Sequence, residues 1–288
     1  MISVLDAKLQ AIGLSPAEEF RRQHPHAKRN DGWSALQSFR PEVIERERLF
    51  VELAALGYFP SELHSKTVLD FGCGLAPSAI ALSPQVELAV AVDASFAHCV
   101  SAAECIEHLG LPNAAIFHGS LSSFQEFPLV SFKSNSFDLI VAYHGFWRRD
   151  LLCLLPDLAE LLRRDGYVYL VYPHFWFADS GLAADEKELR QLLEARVEDW
   201  ATVSVEAAVQ LARTCGLSLV FRGPLQSLAM QESTGVACLS SGIVPDREGY
   251  AKLFGDFSRR WSLRQEIMVL RNVGHGERGK IGECRPKP

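Results

Sequence analysis

From Lys66 onward, short apolar runs alternate with segments of helical spacing, and this alternation constrains the fold more than any other feature of the chain. The runs are Thr67–Gly72, Leu88–Asp93, Ala114–Gly119, Phe137–Tyr143 and Tyr167–Pro173. Between them lie LAPSAIALS, FAHCVSAAECIEHLG and LLCLLPDLAELLRRDG, the last two closing on Gly110 and Gly166, read here as helix-ending glycines. Strands that alternate with helices pair in parallel, because each helix returns the chain to the same edge of the sheet. Beyond Pro173 the spacing predicts a loop and charged helix over 175–200, a helix closing at Gly216, and strands over Leu217–Gly223 and Gln265–Val273. The expectation is an α/β fold built on a seven-stranded, mainly parallel sheet with flanking helices.

The organisation around that sheet follows from composition. Residues 1–60 carry helical spacing and a basic, aromatic stretch, and read as an N-terminal helical cap. Residues 61–273 form the main domain, with an insertion at about 224–264, and 274–288 lack apolar periodicity and read as a flexible tail. The chain has 288 residues, 48% hydrophobic and 22% charged, which suits a globular domain with a sizeable core. Its net charge of −6 argues against a nucleic-acid partner, which needs a basic face. Seven scattered cysteines without a CxxC pair read as reduced thiols, and neither a signal segment nor a membrane span is apparent, so a cytoplasmic location is expected.

The informative motif is V68-L69-D70-F71-G72-C73-G74-L75-A76, at the carboxyl end of the first strand. Ligands bind at that end of an open parallel sheet, and the glycines allow a sharp turn and close backbone approach. Asp93 ends the next strand, where a carboxylate can accept hydrogen bonds from ribose hydroxyls or, alternatively, cap the following helix. A nucleoside-containing cofactor is implied. A carboxylate at Asp70 repels a pyrophosphate, and Pro77 stands where a third glycine would serve a dinucleotide.

At these residues the chain resembles the class I S-adenosylmethionine-dependent methyltransferases, whose first motif is an acidic residue followed by GxG. The match runs over roughly 66–173, with S136-F137-D138-L139-I140-V141 resembling the family's fourth strand. The resemblance implies a Rossmann-like sheet and S-adenosylmethionine as cofactor. It implies Asp70, Gly72, Cys73 and Gly74 around the methionine part, Asp93 and Ala94 at the ribose, and Ser120 and Leu121 beside adenine. Ala76 replaces a third glycine in the loop at small steric cost. Tyr143 borders both the cofactor and the methyl-transfer site and is a candidate catalytic residue, and His144 is the candidate general base, or alternatively a polar loop residue.

Trp147, His174, Trp176 and Trp33, with Phe39, Phe175 and Phe177, are candidate walls of an acceptor pocket. His24, His26, Arg21, Arg22, Lys28 and Arg29 in the cap are candidate lid or anion-holding residues, with a solvated face as the plainer alternative. Asp138 begins its strand, at the wrong end for a metal ligand, and no metal is expected. The residues after strand four lack the Pro-Pro-aromatic sequence of nucleobase amino methyltransferases. The implied reaction is O- or N-methylation of a small organic acceptor. Methylation of a protein or RNA, and a non-catalytic fold serving interaction, are the alternatives.

Overall fold

The structure is a computed structural model and describes residues 3–26, 32–121, 128–143, 148–173, 187, 191, 204–226 and 265–274. Helix α1 (Val4–Ala11) is opened by a capping box in which Ser3 and Asp6 satisfy each other's backbone N–H groups. Helices α2 (Phe20–Gln23) and α3 (Gly32–Ala55) complete the cap. The main unit runs β1 (Thr67–Phe71), α4 (Pro77–Leu82), β2 (Leu88–Asp93), α5 (Phe96–His108), β3 (Ala114–His118), β4 (Phe137–Tyr143), α6 (Arg148–Leu161), β5 (Leu162–Pro173), α7 (Val205–Thr214), β6 (Leu217–Gly223) and β7 (Gln265–Asn272).

The seven strands form one sheet in the order β3-β2-β1-β4-β5-β7-β6. Strands β1 to β5 pair in parallel, and β7 runs antiparallel between β5 and β6. The expected mainly parallel seven-stranded sheet is therefore the architecture found. Strands β1 and β2 are buried along their whole length, which is why they read as nearly continuous apolar runs, with Asp70 and Asp93 toward their ends, rather than alternating ones.

Each face of the sheet has its own core. One gathers Leu69, Phe117, Ile140 and Leu170 with Leu154, Leu155 and Leu158 of α6 and Ala208 and Ala212 of α7. The other gathers Val68, Ala91, Val141 and Val171 with residues of α4 and α5 and Leu49, Phe50 and Leu53 of α3. The cap is divided between them: Leu9, Ile12 and Leu14 join the first core, whereas Phe20 and α3 join the second. The strand order reverses between β1 and β4, so the crevice for a ligand opens above their carboxyl ends.

One helix boundary differs from expectation. Gly166 does not end α6, which stops at Leu161; Arg163, Arg164 and Gly166 lie within β5. Leu162 already pairs with Phe137, and the chain then turns through Asp165 in a left-handed conformation (φ 65°) before Tyr167 resumes pairing with Leu139. Gly166 is needed there for space, since a Cβ would sit 2.7 Å from the Asp138 carbonyl oxygen. Gly110 and Gly216, by contrast, follow α5 and α7 with φ of 61° and 80°, as helix-ending glycines do.

At the amino end of the sheet, Asp138 accepts from the Thr67 N–H (2.9 Å) and from Arg163 Nη1 (2.7 Å), with Lys66 Nζ at 3.4 Å. This ties the starts of β1, β4 and β5 together far from the crevice. Of the expected tail over 274–288, the insertion at about 224–264 and the charged helix over 175–200, only Gly274, residues 224–226, Lys187 and Gln191 are among the described residues. Among the described residues, no helix is long and apolar enough to cross a membrane.

Candidate active site

The side-chain alternation of strands places Asp70, Asp93 and Tyr143 on one face, because each keeps parity with a residue of the second core: Val68, Ala91 and Val141. That is the face covered by α3. The turn after β1 alternates left-handed residues: Gly72 (φ 63°), Gly74 (φ 57°) and Ala76 (φ 60°). The expectation that Ala76 costs little was framed sterically, and the cost is conformational instead. A left-handed alanine is disfavoured by about 1–2 kcal/mol. It is held by the Ala76 N–H donating to Cys73 O (2.8 Å) and by its own carbonyl accepting from Ile80 (3.0 Å) at the start of α4.

Asp93 grips this turn. Its Oδ2 accepts from the Gly74 N–H at 2.7 Å, and its Oδ1 accepts from the Ser95 N–H at 2.7 Å with His98 Nδ1 at 3.2 Å. Among the described residues, those contacts occupy both lone-pair positions of Oδ1 and one of Oδ2, leaving one for a ligand hydroxyl. The alternative role as a helix cap belongs to Ser95, whose Oγ accepts from the His98 N–H. Neighbouring Ala94 has its carbonyl 3.1 Å from His118 Nε2.

Asp70 is only 1% exposed, beneath the turn rather than lining the crevice openly. Its Oδ2 accepts from the Ala79 N–H at 2.9 Å, bracing α4. Burial pushes its carboxyl up to about 7, opposed by the Ala79 hydrogen bond and by the charge of Arg46. Cys73 is buried and its thiol is raised well above the ordinary value by burial and by the nearby carboxylates, so it is no nucleophile. Ser120 donates its N–H to Pro128 O and accepts from the Val130 N–H, both at 2.9 Å, and Leu121 packs against the first core.

Tyr143 ends β4 with its ring buried and its hydroxyl donating to Gln265 Oε1 at 3.0 Å. Over that ring lies the guanidinium of Arg46, its Cζ 3.1 Å from the ring centroid. Arg46, His98 and Gln265 were not foreseen from the sequence. Arg46 had a signal, since it falls on the apolar stripe of α3 with Val43, Phe50 and Leu53. A charged residue on a buried helix stripe marks a site.

Of the cap candidates, Arg21 bonds Glu19 (2.6 Å) and Ala114 O (2.8 Å), and Arg22 bonds Asp6 and Pro16 O. Both therefore fasten the cap and are not left to hold a substrate anion. His24 packs against Phe20 and Phe96, and His26 is exposed. His144, Trp147, His174, Phe175, Trp176, Phe177, Lys28 and Arg29 lie outside the described residues, and of Trp33 and Phe39 only the place in α3 is described. Among the described residues, no group of three His, Cys, Asp or Glu side chains converges as a metal site would require.

Residues 68–166 match the family described as a methyltransferase domain. That span is similar to a methyltransferase domain. A curated relative, the uncharacterized methyltransferase YcgJ of Bacillus subtilis (strain 168), is 29% identical over 136 residues, which cover 45% of this chain and 51% of the relative. The chain thus matches about half the length of that relative. Among solved structures, a protein from Galdieria sulphuraria provisionally assigned as a sarcosine dimethylglycine methyltransferase superposes with a TM-score of 0.55 at 21% identity, covering 79% of this chain and 84% of that one. Geranyl diphosphate C-methyltransferase from Streptomyces coelicolor A3(2), in complex with Mg2+, geranyl diphosphate and S-adenosyl-L-homocysteine, superposes at 0.54 with 15% identity, covering 81% and 80%. At these identities the likeness is one of fold. The glycine turn, Asp70 and Asp93 all fall inside the matched span.

Proposed function

We propose that the protein transfers a methyl group from S-adenosylmethionine to a small organic acceptor, at an oxygen or a nitrogen. The observation that carries this reading is the Asp93 carboxylate holding the Gly74 N–H from below while, among the described residues, one of its acceptor positions stays open, beside a glycine whose missing Cβ would meet nothing within 4 Å. The residues fit such a donor. The turn leaves room for close approach, and two carboxylates near it oppose a phosphate and favour a cation. When bound, the donor supplies an electrophilic methyl group on a sulfonium.

The chain's own groups bind, orient and exclude water. Asp93 accepts from a ribose hydroxyl, Gly72 and Gly74 bring backbone against the methionine part, and Ser120 and Leu121 wall the adenine side. The hydroxyl of Tyr143 is committed to Gln265, so its ring serves as a wall and His144 takes the acceptor's proton. An unperturbed imidazole, with a pKa of about 6.5, suits that task near neutrality. Trp147, His174, Trp176 and Trp33 border the acceptor in this reading.

Calorimetric titration with S-adenosylmethionine, S-adenosylhomocysteine and NADH tests it. Micromolar binding of both adenosyl ligands without NADH is expected. Silence from both overturns the reading in favour of a non-catalytic interaction role, and methylation of a protein or RNA fraction in place of small molecules overturns the acceptor class. Asp93→Ala lowers donor affinity by about 1–3 kcal/mol, the scale of a charged hydrogen bond lost. An unchanged dissociation constant in folded Asp93→Ala removes Asp93 from the site. Gly74→Ala costs about 1 kcal/mol of stability, for left-handed backbone alone, yet weakens donor binding tenfold or more because the methyl fills the open space. Urea unfolding and titration of the same variant separate the two effects; equal affinity would place the donor elsewhere.

A further inference from the structure

Helix α5 begins with a capping box that is closed by a residue outside the helix. In such a box the N-cap side chain takes the N–H of the third helical residue, whose own glutamate or glutamine side chain takes the N-cap N–H. Ser95 plays the first part, its Oγ accepting from the His98 N–H at 3.4 Å. The second part falls to Asp93, whose Oδ1 accepts from the Ser95 N–H at 2.7 Å. His98 stands where the glutamate would be, and a second carboxylate there would repel Asp93. The imidazole turns to Asp93 instead, with Nδ1 3.2 Å from the same Oδ1. A carboxylate oxygen only accepts, so Nδ1 donates. Glu42 of α3 lies within reach of the same ring's charge: burial and Glu45 push its carboxyl up, and Arg46 and, to a lesser degree, His98 draw it down. The His98 side chain is only 22% exposed.

We infer that His98 is a positioning residue that orients the Asp93 carboxylate for a ligand hydroxyl. The Gly74 and Ser95 N–H groups each anchor one oxygen and leave a second lone-pair position on each. With both of those positions open, a hydroxyl divides itself between two oxygens and water competes at the other. His98 fills the second position of Oδ1, so that among the described residues only Oδ2 still offers one. Its bond to a carboxylate is of the strong, charge-assisted kind, and it holds the acceptor in place before a ligand arrives. The inference deepens the proposed function and rests on its placement of the donor ribose at Asp93. What it adds is a group on α5 that acts through Asp93 alone.

Calorimetric titration of wild type, His98→Ala, His98→Asn and His98→Gln with S-adenosylhomocysteine tests it. Asparagine places an amide nitrogen where Nδ1 stands, whereas glutamine carries its nitrogen further out. His98→Ala is expected to weaken binding roughly tenfold, the scale of a charge-assisted hydrogen bond, with His98→Asn within about twofold of wild type and His98→Gln matching alanine. In an Asp93→Ala background, His98→Ala adds no further loss, because its partner is gone. Thermal unfolding verifies that each variant is folded, and the asparagine and glutamine variants decide the matter where alanine does not fold. Additive losses in the double variant, equal losses for asparagine and glutamine, or unchanged affinity in His98→Ala overturn the role. Wild-type protein that does not bind S-adenosylhomocysteine overturns the donor reading and His98 with it, whereas wild type that binds while every His98 variant matches it overturns His98 alone.

Discussion

Replacing Gly119 by alanine is expected to destabilise the protein by about 3 kcal/mol or more, and to do so without touching a single functional group. The added Cβ would lie 2.3 Å from the Pro128 carbonyl oxygen and 2.8 Å from Val130 Cγ2, and Gly119 already sits at φ 153°. Neither partner can retreat. The Pro128 oxygen accepts from the Ser120 N–H, the Val130 N–H donates to Ser120 O, and Gly119 itself donates to Asp93 O, each at 2.9 Å. A shift that relieves the clash breaks one of these bonds and disturbs the strand end that carries Asp93. Gly110 makes the contrast, because its Cβ would meet nothing and Gly110→Ala costs only about 1 kcal/mol for the left-handed backbone. Chemical denaturation midpoints of the two variants measure the difference, and similar midpoints would refute the packing argument.

The second large effect is on pH dependence. With its carboxyl pushed up to about 7, Asp70 keeps its proton in the folded protein across a range where the unfolded chain, near 3.8, has lost it. The unfolded state then binds fewer protons, so stability falls as pH rises from about 4 to about 7, on the order of 3–4 kcal/mol in all. Asp157, half-buried on α6 and raised to about 6, adds to the same trend, and so does Glu42. Subtracting the profile of Asp70→Asn isolates the Asp70 share, since asparagine can still accept from the Ala79 N–H. A difference profile that is flat between pH 4 and 7 would show that Asp70 is ionised throughout. Binding of a cationic ligand reverses the preference, so a proton leaves Asp70 on binding below about pH 7. Affinity accordingly rises with pH toward neutrality, and the released proton registers as a buffer-dependent heat.

Most of the sheet was legible because buried parallel strands must be nearly all apolar, and the runs at Leu88–Asp93, Phe137–Tyr143 and Leu217–Gly223 coincide with observed strands end to end. Gly166 misled, because a glycine after a leucine-rich helix can serve space instead of helix termination. Its neighbour is the Asp138 carbonyl, and nothing local in the sequence announces that contact. The glycine turn and Asp93 were readable from spacing, but their mutual hydrogen bond was not, since it joins residues 19 apart through the geometry of two adjacent strands. Tyr143 was foreseen as a chemical group, whereas its hydroxyl is spent on Gln265, 122 residues away. Arg46 lay in plain view as a charge on an apolar stripe, and only its burial against Tyr143 gives that charge a meaning.

The division of the cap between the two cores has a consequence for biosynthesis. Leu9, Ile12 and Leu14 belong to one layer and Phe20 to the other, and Arg21 reaches Ala114 while Lys133 reaches back to Gln10 and Ala11. The sheet these segments cover is complete only when the strand beginning at Gln265 has been made. At roughly 5–20 residues per second on the ribosome, their apolar side chains wait for roughly 10 to 50 seconds before that sheet is complete. The nascent chain therefore presents these helices before the sheet they cover is complete, which makes that interval the natural window for chaperone capture and for aggregation.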